Sequence, residues 1–241
     1  MIIIPAVDIK NGKCVRLLQG RMDAETVFSD DPAAMAKKWA DQGARLMHLV
    51  DLDGAVQKRP RNLAAIEKII DSVNTEIQVG GGIRDLDTIR MYMDRGVEKI
   101  VIGSAAIHDP SMVAEACRLY PGHIVVGIDA RDGMVAIEGW TRSTSVSAVE
   151  LAKQFEDCGV AAINFTDIQR DGMQTGPNID AIQALASSVD VPIVASGGVS
   201  SLADIKALMP LREYGVTGVI TGRALYDGRL DLAEAIAAAA L

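Results

Sequence analysis

The chain repeats itself once over half its length, and the repeated words are polar residues at the ends of apolar runs. The run 2–8 ends in Asp8 and leads into Lys10-Asn11-Gly12; 121 residues later the run 124–129 ends in Asp129 and leads into Arg131-Asp132-Gly133. A spacing of 116 residues relates Gly43 to Gly159, Asp51 to Asp167, and Gly81-Gly82 to Gly197-Gly198, and one of 119 relates Gly103-Ser104-Ala105 to Gly222-Arg223-Ala224. Self-similarity on this scale means two like supersecondary blocks, so the repeated polar positions mark a pseudo-symmetric site.

Short runs rich in Ile and Val alternate with longer amphipathic stretches. Strands are expected at 2–8, 46–51, 77–80, 100–102, 124–129, 162–166, 193–195 and 218–221. These runs are continuous rather than alternating, as in strands covered on both faces of a parallel sheet. Helical patterns fall between them, at 33–42, 63–73, 86–95, 111–119, 146–157, 179–187, 202–209 and 232–239. Eight strand–helix units in 241 residues match a (β/α)8 TIM barrel, which typically takes ~250 residues. An open doubly wound sheet is the alternative; the repeat favours closure, since two half-barrels leave no free edge when joined. One α/β barrel domain is expected over 1–241, with half-barrels roughly 1–121 and 122–241.

An apolar share of 49% with 23% charged residues can fill a large core. The net charge of −8, with no cluster of Lys and Arg, argues against nucleic acid as a partner. Cys14, Cys117 and Cys158 form no CxxC pair, which fits a reducing, cytoplasmic setting. There is no basic leader and no apolar run of the ~18 residues a membrane span needs, so neither secretion nor membrane insertion is expected.

In a closed barrel the C-terminal ends of the strands form the mouth where chemistry is done. Asp8 and Asp129 close equivalent strands, and two carboxylates facing one cavity can divide the taking and giving of a proton. A lone aspartate there would more often cap a turn; the matched pair reads as functional. Gly81-Gly82 and Gly197-Gly198 follow the third and seventh strands, and Gly103-Ser104 and Gly222-Arg223 follow the fourth and eighth. Glycine admits an oxyanion close to the backbone, and N–H groups at a helix start bind phosphate, so one phosphate is expected on each side. Arg84 and Arg223 would add charge, although Arg84 could instead pair with Asp85 or Asp87. Trp140, flanked by Gly139, is either a loop staple or a stacking surface. The segment 10–31, with Arg16, Gln19 and Gly20, reads as a long loop of the kind that closes over ligands. Thr166, Asp167, Asp171 and Gly172 fall in a polar stretch matching 50–54 and read as mouth lining. His48, His108 and His123 share no ligand spacing and read as structural, so no metal site is expected.

Taken together, the stretches MIIIPAVDIKNGKCVRLLQG, QVGGGIRD, VIGSAA, GIDARDG, the Gly139-Trp140 pair, FTDIQRDGMQTGPN, ASGGVSS and TGRALYDG closely resemble the phosphoribosylformimino aminoimidazole carboxamide ribotide isomerases of histidine biosynthesis. The resemblance implies a duplicated half-barrel and an elongated small-molecule substrate with a phosphate at each end. It implies an Amadori rearrangement of an aminoaldose to an aminoketose without a cofactor. In that scheme Asp129 gives the proton that opens the ribose ring, Thr166 orients it, and Asp8 removes the C2 proton. Substrate binding would fall to Arg16, Gly20, Gly81, Gly82, Arg84, Gly103, Ser104, Trp140, Asp167, Gly172, Gly197, Gly198, Gly222 and Arg223, with Trp140 stacked on the imidazole. The chain is expected to act as a monomer. Three alternatives stand beside this: the sister imidazole glycerol phosphate synthase cyclase, disfavoured by Ala6-Val7-Asp8 and by the Gly-Trp pair; a dual-substrate isomerase also taking phosphoribosylanthranilate, suggested by Arg142 after Trp140; and a non-catalytic phosphate-binding barrel.

Overall fold

The computed structural model describes residues 1–240. Eight parallel strands form the barrel: β1 (Ile2–Lys10), β2 (Leu46–Asp51), β3 (Glu76–Gly80), β4 (Lys99–Ile102), β5 (Ile124–Arg131), β6 (Ala162–Asp167), β7 (Ile193–Ser196) and β8 (Val216–Thr221). Each pairs with the next, and β8 returns to β1 in the register Ile2 with Gly218 to Pro5 with Thr221, which closes the sheet. Every expected strand is present, most of them one or two residues longer.

The long helices match the amphipathic stretches, at Pro32–Asp41, Leu63–Ser72, Leu86–Met93, Pro110–Leu119, Ala148–Gln154, Ile179–Ala186, Leu202–Leu208 and Leu232–Ala239. Their starts follow ordinary capping chemistry: Asp31 accepts from Ala33 N at 3.0 Å ahead of Pro32, and Ser147 and Glu150 cap each other reciprocally. That capping box explains why the helix expected from 146 begins at Ala148. Between helices and sheet lies the main core, where Trp39, Tyr92 and Phe155 are fully buried, each such side chain contributing roughly 1.5–3 kcal/mol. A second apolar cluster of Ile4, Ala6, Leu46, Val194 and Ile220 fills the barrel beneath its mouth.

The structure corrects one expectation. The segment 10–31 is not an irregular loop but an antiparallel ribbon, in which Lys13–Leu18 pairs with β1 and with Arg21–Ser29. The equivalent segment after β5 is a second ribbon, Met134–Ile137 against Arg142–Ser147. Both begin at a tight turn, Asn11-Gly12 with φ of 50° and 75° and Asp132-Gly133 with φ of 51° and 77°. Asn-Gly and Asp-Gly are the favoured dipeptides for such turns because both positions need positive φ. Among the described residues no helix is long and apolar enough to cross a membrane.

Candidate active site

A cavity of about 200 Å³ opens at the C-terminal mouth, and Asp8, Asp129, Thr166 and Trp140 all line it. The glycines after β3 and β4, with Arg84 and Ser104, form one flank of this cavity. A smaller recess of about 20 Å³ adjoins it, lined by Gly172, Gly197, Gly198, Gly222 and Arg223. Arg16, Asp171, Ser196 and Ile220 line both spaces. Of the residues expected at the site, Asp167 alone lines neither. Its carboxylate accepts from Arg170 N at 3.1 Å and from Asn178 Nδ2 at 2.7 Å. Its repeat partner Asp51 likewise accepts from Gly54 N at 2.8 Å and from Asn62 Nδ2 at 2.7 Å. Both aspartates hold loops in place.

Asp8 is half-buried near the end of β1, and the adjoining ribbon brings Arg16 over it, Nη1 standing 3.0 Å from Oδ2. The pair is an ion pair rather than an aligned hydrogen bond, since neither Nη1 nor Nε of Arg16 has a hydrogen-bond partner. The guanidinium lies 5.8 Å from the ring centroid of Tyr226, whose hydroxyl donates to Ala6 O at 2.7 Å. Burial raises the Asp8 pKa and Arg16 opposes that rise. Asp129 sits on the far side of the mouth, in register with Thr166 on β6. Burial raises its pKa as well, with the Trp140 indole and the Thr166 hydroxyl pulling the other way. Among the described residues no group of three or more His, Cys, Asp and Glu side chains is placed to hold a metal ion.

A barrel mouth with two opposed half-buried carboxyls and paired glycine turns narrows the field, and a sequence-family model described as "histidine biosynthesis protein" matches residues 2–231. The chain belongs to that histidine biosynthesis family. It is 67% identical over 239 residues to a protein of Desulfosudis oleivorans, a match covering 99% of this chain and 95% of the relative. It is 64% identical to one of Desulfatibacillum aliphaticivorans, covering 99% and 96%, and 54% identical to one of Syntrophus aciditrophicus, covering 99% of each. All three carry the name 1-(5-phosphoribosyl)-5-((5-phosphoribosylamino)methylideneamino)imidazole-4-carboxamide isomerase.

In this member of the family a third carboxyl enters the site that the repeat did not point to as a catalytic candidate. Asp171 has its pKa raised to about 6, chiefly by burial; Arg16 lowers it, while Asp8 and Asp129 raise it further. The ribbon turn holds it in place, with Gln19 N donating to Asp171 O at 3.2 Å. Trp140, at φ 68°, lays its indole against the bare Cα of Gly20 at that turn and also lines the cavity. It therefore staples the two ribbons together while facing the ligand space. Arg142 is exposed and does not line the cavity. Arg84, by contrast, is half-buried and forms no ion pair among the described residues, because Asp85 caps the next helix at Thr88 N, 2.7 Å away, and Asp87 faces Arg90.

The glycines divide into two kinds. A Cβ on Gly82 would lie 2.7 Å from the Arg59 carbonyl carbon and 2.8 Å from Gly54 O, and φ there is +77°. Gly81 and Gly197 press in the same way on the backbones of Asp51 and Asp167. These residues are glycine because the loops pack on them, not only to admit a ligand. Gly103 differs, since a Cβ there meets nothing within 4 Å and would project into the cavity. Gly82→Val is expected to destabilise the fold by roughly 2–4 kcal/mol through clash and strain. Gly103→Ala should raise KM with a smaller change in Tm. Thermal melts with steady-state kinetics on both variants check this, and a Gly82→Val protein as stable as wild type would contradict it.

Proposed function

We propose that this chain is a cofactor-independent aldose–ketose isomerase that converts the compound in its relatives' name, an aminoaldose, to the corresponding aminoketose. The two phosphates of that compound would sit on opposite flanks, one against Gly103, Ser104 and Arg84, the other against Gly197, Gly198, Gly222 and Arg223. Backbone N–H groups and guanidinium charge suit such anions. The reacting ribose then lies between Asp8 and Asp129. A carboxyl gives its proton to the ring oxygen, the C1–O bond breaks, and the nitrogen lone pair forms a C1=N bond. Asp8 takes the C2 proton; the C2–H electrons form the C1=C2 bond of the enolamine as the C1=N π pair returns to nitrogen, and the enolamine gains a proton at C1 and loses one from the C2 hydroxyl to become the ketose.

Arg16 suits Asp8 to the base role, since a guanidinium at 3.0 Å favours the ionised form that burial disfavours. Asp8 and Asp129 both have raised pKa values, so the cation beside Asp8, which has no counterpart at Asp129, is what separates base from acid. Asp129, oriented by Thr166, is assigned the proton donation, and Asp171, beside Arg16, is a third carboxyl that acts on both aspartates through its charge. The observation that carries this reading is the pair of opposed, half-buried strand-end carboxyls flanked by two glycine-and-arginine rims in a chain 67% identical to a named isomerase.

Purified protein should convert the aminoaldose after exhaustive dialysis against chelator, with no ammonia and no added cofactor, followed by the change in ultraviolet absorbance. Loss of activity on dialysis, restored by a metal, would overturn the cofactor-free mechanism. Failure to convert the compound under any condition would overturn the isomerase assignment.

A further inference from the structure

Beneath each of the two opposed aspartates the barrel wall carries almost no side chain. One layer down β1 from Asp8 is Ala6, and one layer down β5 from Asp129 is Gly127, since residues two apart share a strand face. In register beside Ala6 stands His48 on β2, and beside Gly127 stands Asn164 on β6. His48 and Asn164 are themselves related by the 116-residue spacing of the repeat, and both line the cavity with Ala6 and Gly127. The floor is thus two small residues that leave headroom and two polar ones that face each other across it.

Those polar groups have no protein partner. His48 Nδ1 and both amide atoms of Asn164 are buried without a hydrogen bond, and Asn164 as a whole is 3% exposed. Buried polar atoms are nearly always paired, so an unpaired set lining a cavity calls for a ligand group to meet it. The set is also neutral: burial and the nearby Arg16 push the His48 pKa down to about 4, so the ring carries no charge near neutral pH.

We propose that His48 and Asn164 are binding residues for the hydroxyl groups of the reacting sugar, with Asn164 taking its C3 hydroxyl from below. This rests on the isomerase reading. With the phosphates on the two flanks and the aromatic ring towards Trp140, the part of the substrate between Asp8 and Asp129 is the ribose chain, and it lies directly over this floor. A hydroxyl both donates and accepts, and a carboxamide offers a donor and an acceptor side by side, so the two match without leaving either unsatisfied. Held at C3, the chain cannot rotate its C2–H bond away from Asp8. His48, expected from the sequence to be structural, lines the cavity, and this proposal gives it a binding role.

The test compares kcat/KM for the aminoaldose and for its analogue lacking the C3 hydroxyl of the reacting ribose, in wild type, Asn164→Leu and His48→Leu. Wild type should prefer the parent by roughly 10- to 100-fold, the cost of leaving buried polar atoms unpaired. In Asn164→Leu the parent should lose about that factor and the two compounds should be converted nearly equally; His48→Leu should reduce the preference in part. Thermal unfolding is followed in parallel, and Asn164→Ala replaces the leucine variant should that one not fold. A variant that keeps the full wild-type preference would overturn the proposal alone, showing that the floor meets only solvent. Wild type inactive on the parent would overturn the isomerase reading and this proposal with it.

Discussion

Asp8→Asn and Asp129→Asn are each expected to lower kcat by at least about 100-fold, the low end of the ~10²–10⁴ that a positioned proton donor or acceptor supplies. Binding of the doubly phosphorylated substrate should survive, because neither carboxylate belongs to a phosphate rim and the amide keeps the shape of the acid. The two variants should fail at different steps. With Asp129→Asn the ring stays closed and nothing downstream is reached. With Asp8→Asn the ring can open but C2 keeps its proton, so unreacted substrate recovered from heavy water should carry no deuterium at C2. Single-turnover kinetics with mass spectrometry separate the cases. Either variant retaining more than about a tenth of wild-type kcat would sink the two-carboxyl mechanism, since that falls short of the weakest general-base effect.

Asp171→Asn is expected to make the protein more stable near pH 8 and much less active. A carboxyl whose pKa is 3.8 when exposed and about 6 when folded holds its proton in the native state between those values, where the unfolded chain has lost it. Its contribution to stability is therefore full below about pH 4 and is lost as pH rises through about 6. Above that, the native state carries a carboxylate that burial and two neighbouring carboxyls disfavour. Each pKa unit corresponds to 1.36 kcal/mol, and discounting for the open side of the cavity gives a gain of roughly 1–3 kcal/mol for the neutral asparagine. Denaturant unfolding at pH 8 should show it, and at pH 4 the variant and wild type should nearly coincide. An equal change at both pH values would mean that packing, not charge, sets the effect. The accompanying loss of kcat is an instance of stability given up at a working site.

Much of the barrel was legible because parallel strands buried on both faces leave an unbroken apolar signature, and eight of them stood out between amphipathic stretches. The ribbons were missed although their turns were written plainly as Asn11-Gly12 and Asp132-Gly133. Arg21–Ser29 is largely exposed and lacks the apolar run by which a strand is recognised. Repetition was a good guide to architecture and a poorer one to chemistry. Asp51 and Asp167 repeat, and both hold loops; Gly81 and Gly197 repeat because the same loop packs on each. Asp171 has Ala55 at the matching position, also on the cavity wall, so comparing the halves pointed away from it. Its raised pKa comes from burial and from two carboxyls remote in sequence, and no local pattern encodes that.

Arg16 is another unrepeated residue, and the matching position in the second ribbon is Ile137. A molecule with a phosphate at each end, entering a mouth with a rim for each, faces a head-to-tail ambiguity: reversed, it would be held nearly as well with the wrong ribose between the aspartates. Backward occupancy would be unproductive and would make the substrate its own inhibitor. A buried cation beside Asp8, and a branched alkyl group in its place across the barrel, give the mouth a polarity that the duplicated scaffold lacks. The two halves thus remain alike enough to close a barrel while one arginine makes the two sides of its mouth unlike.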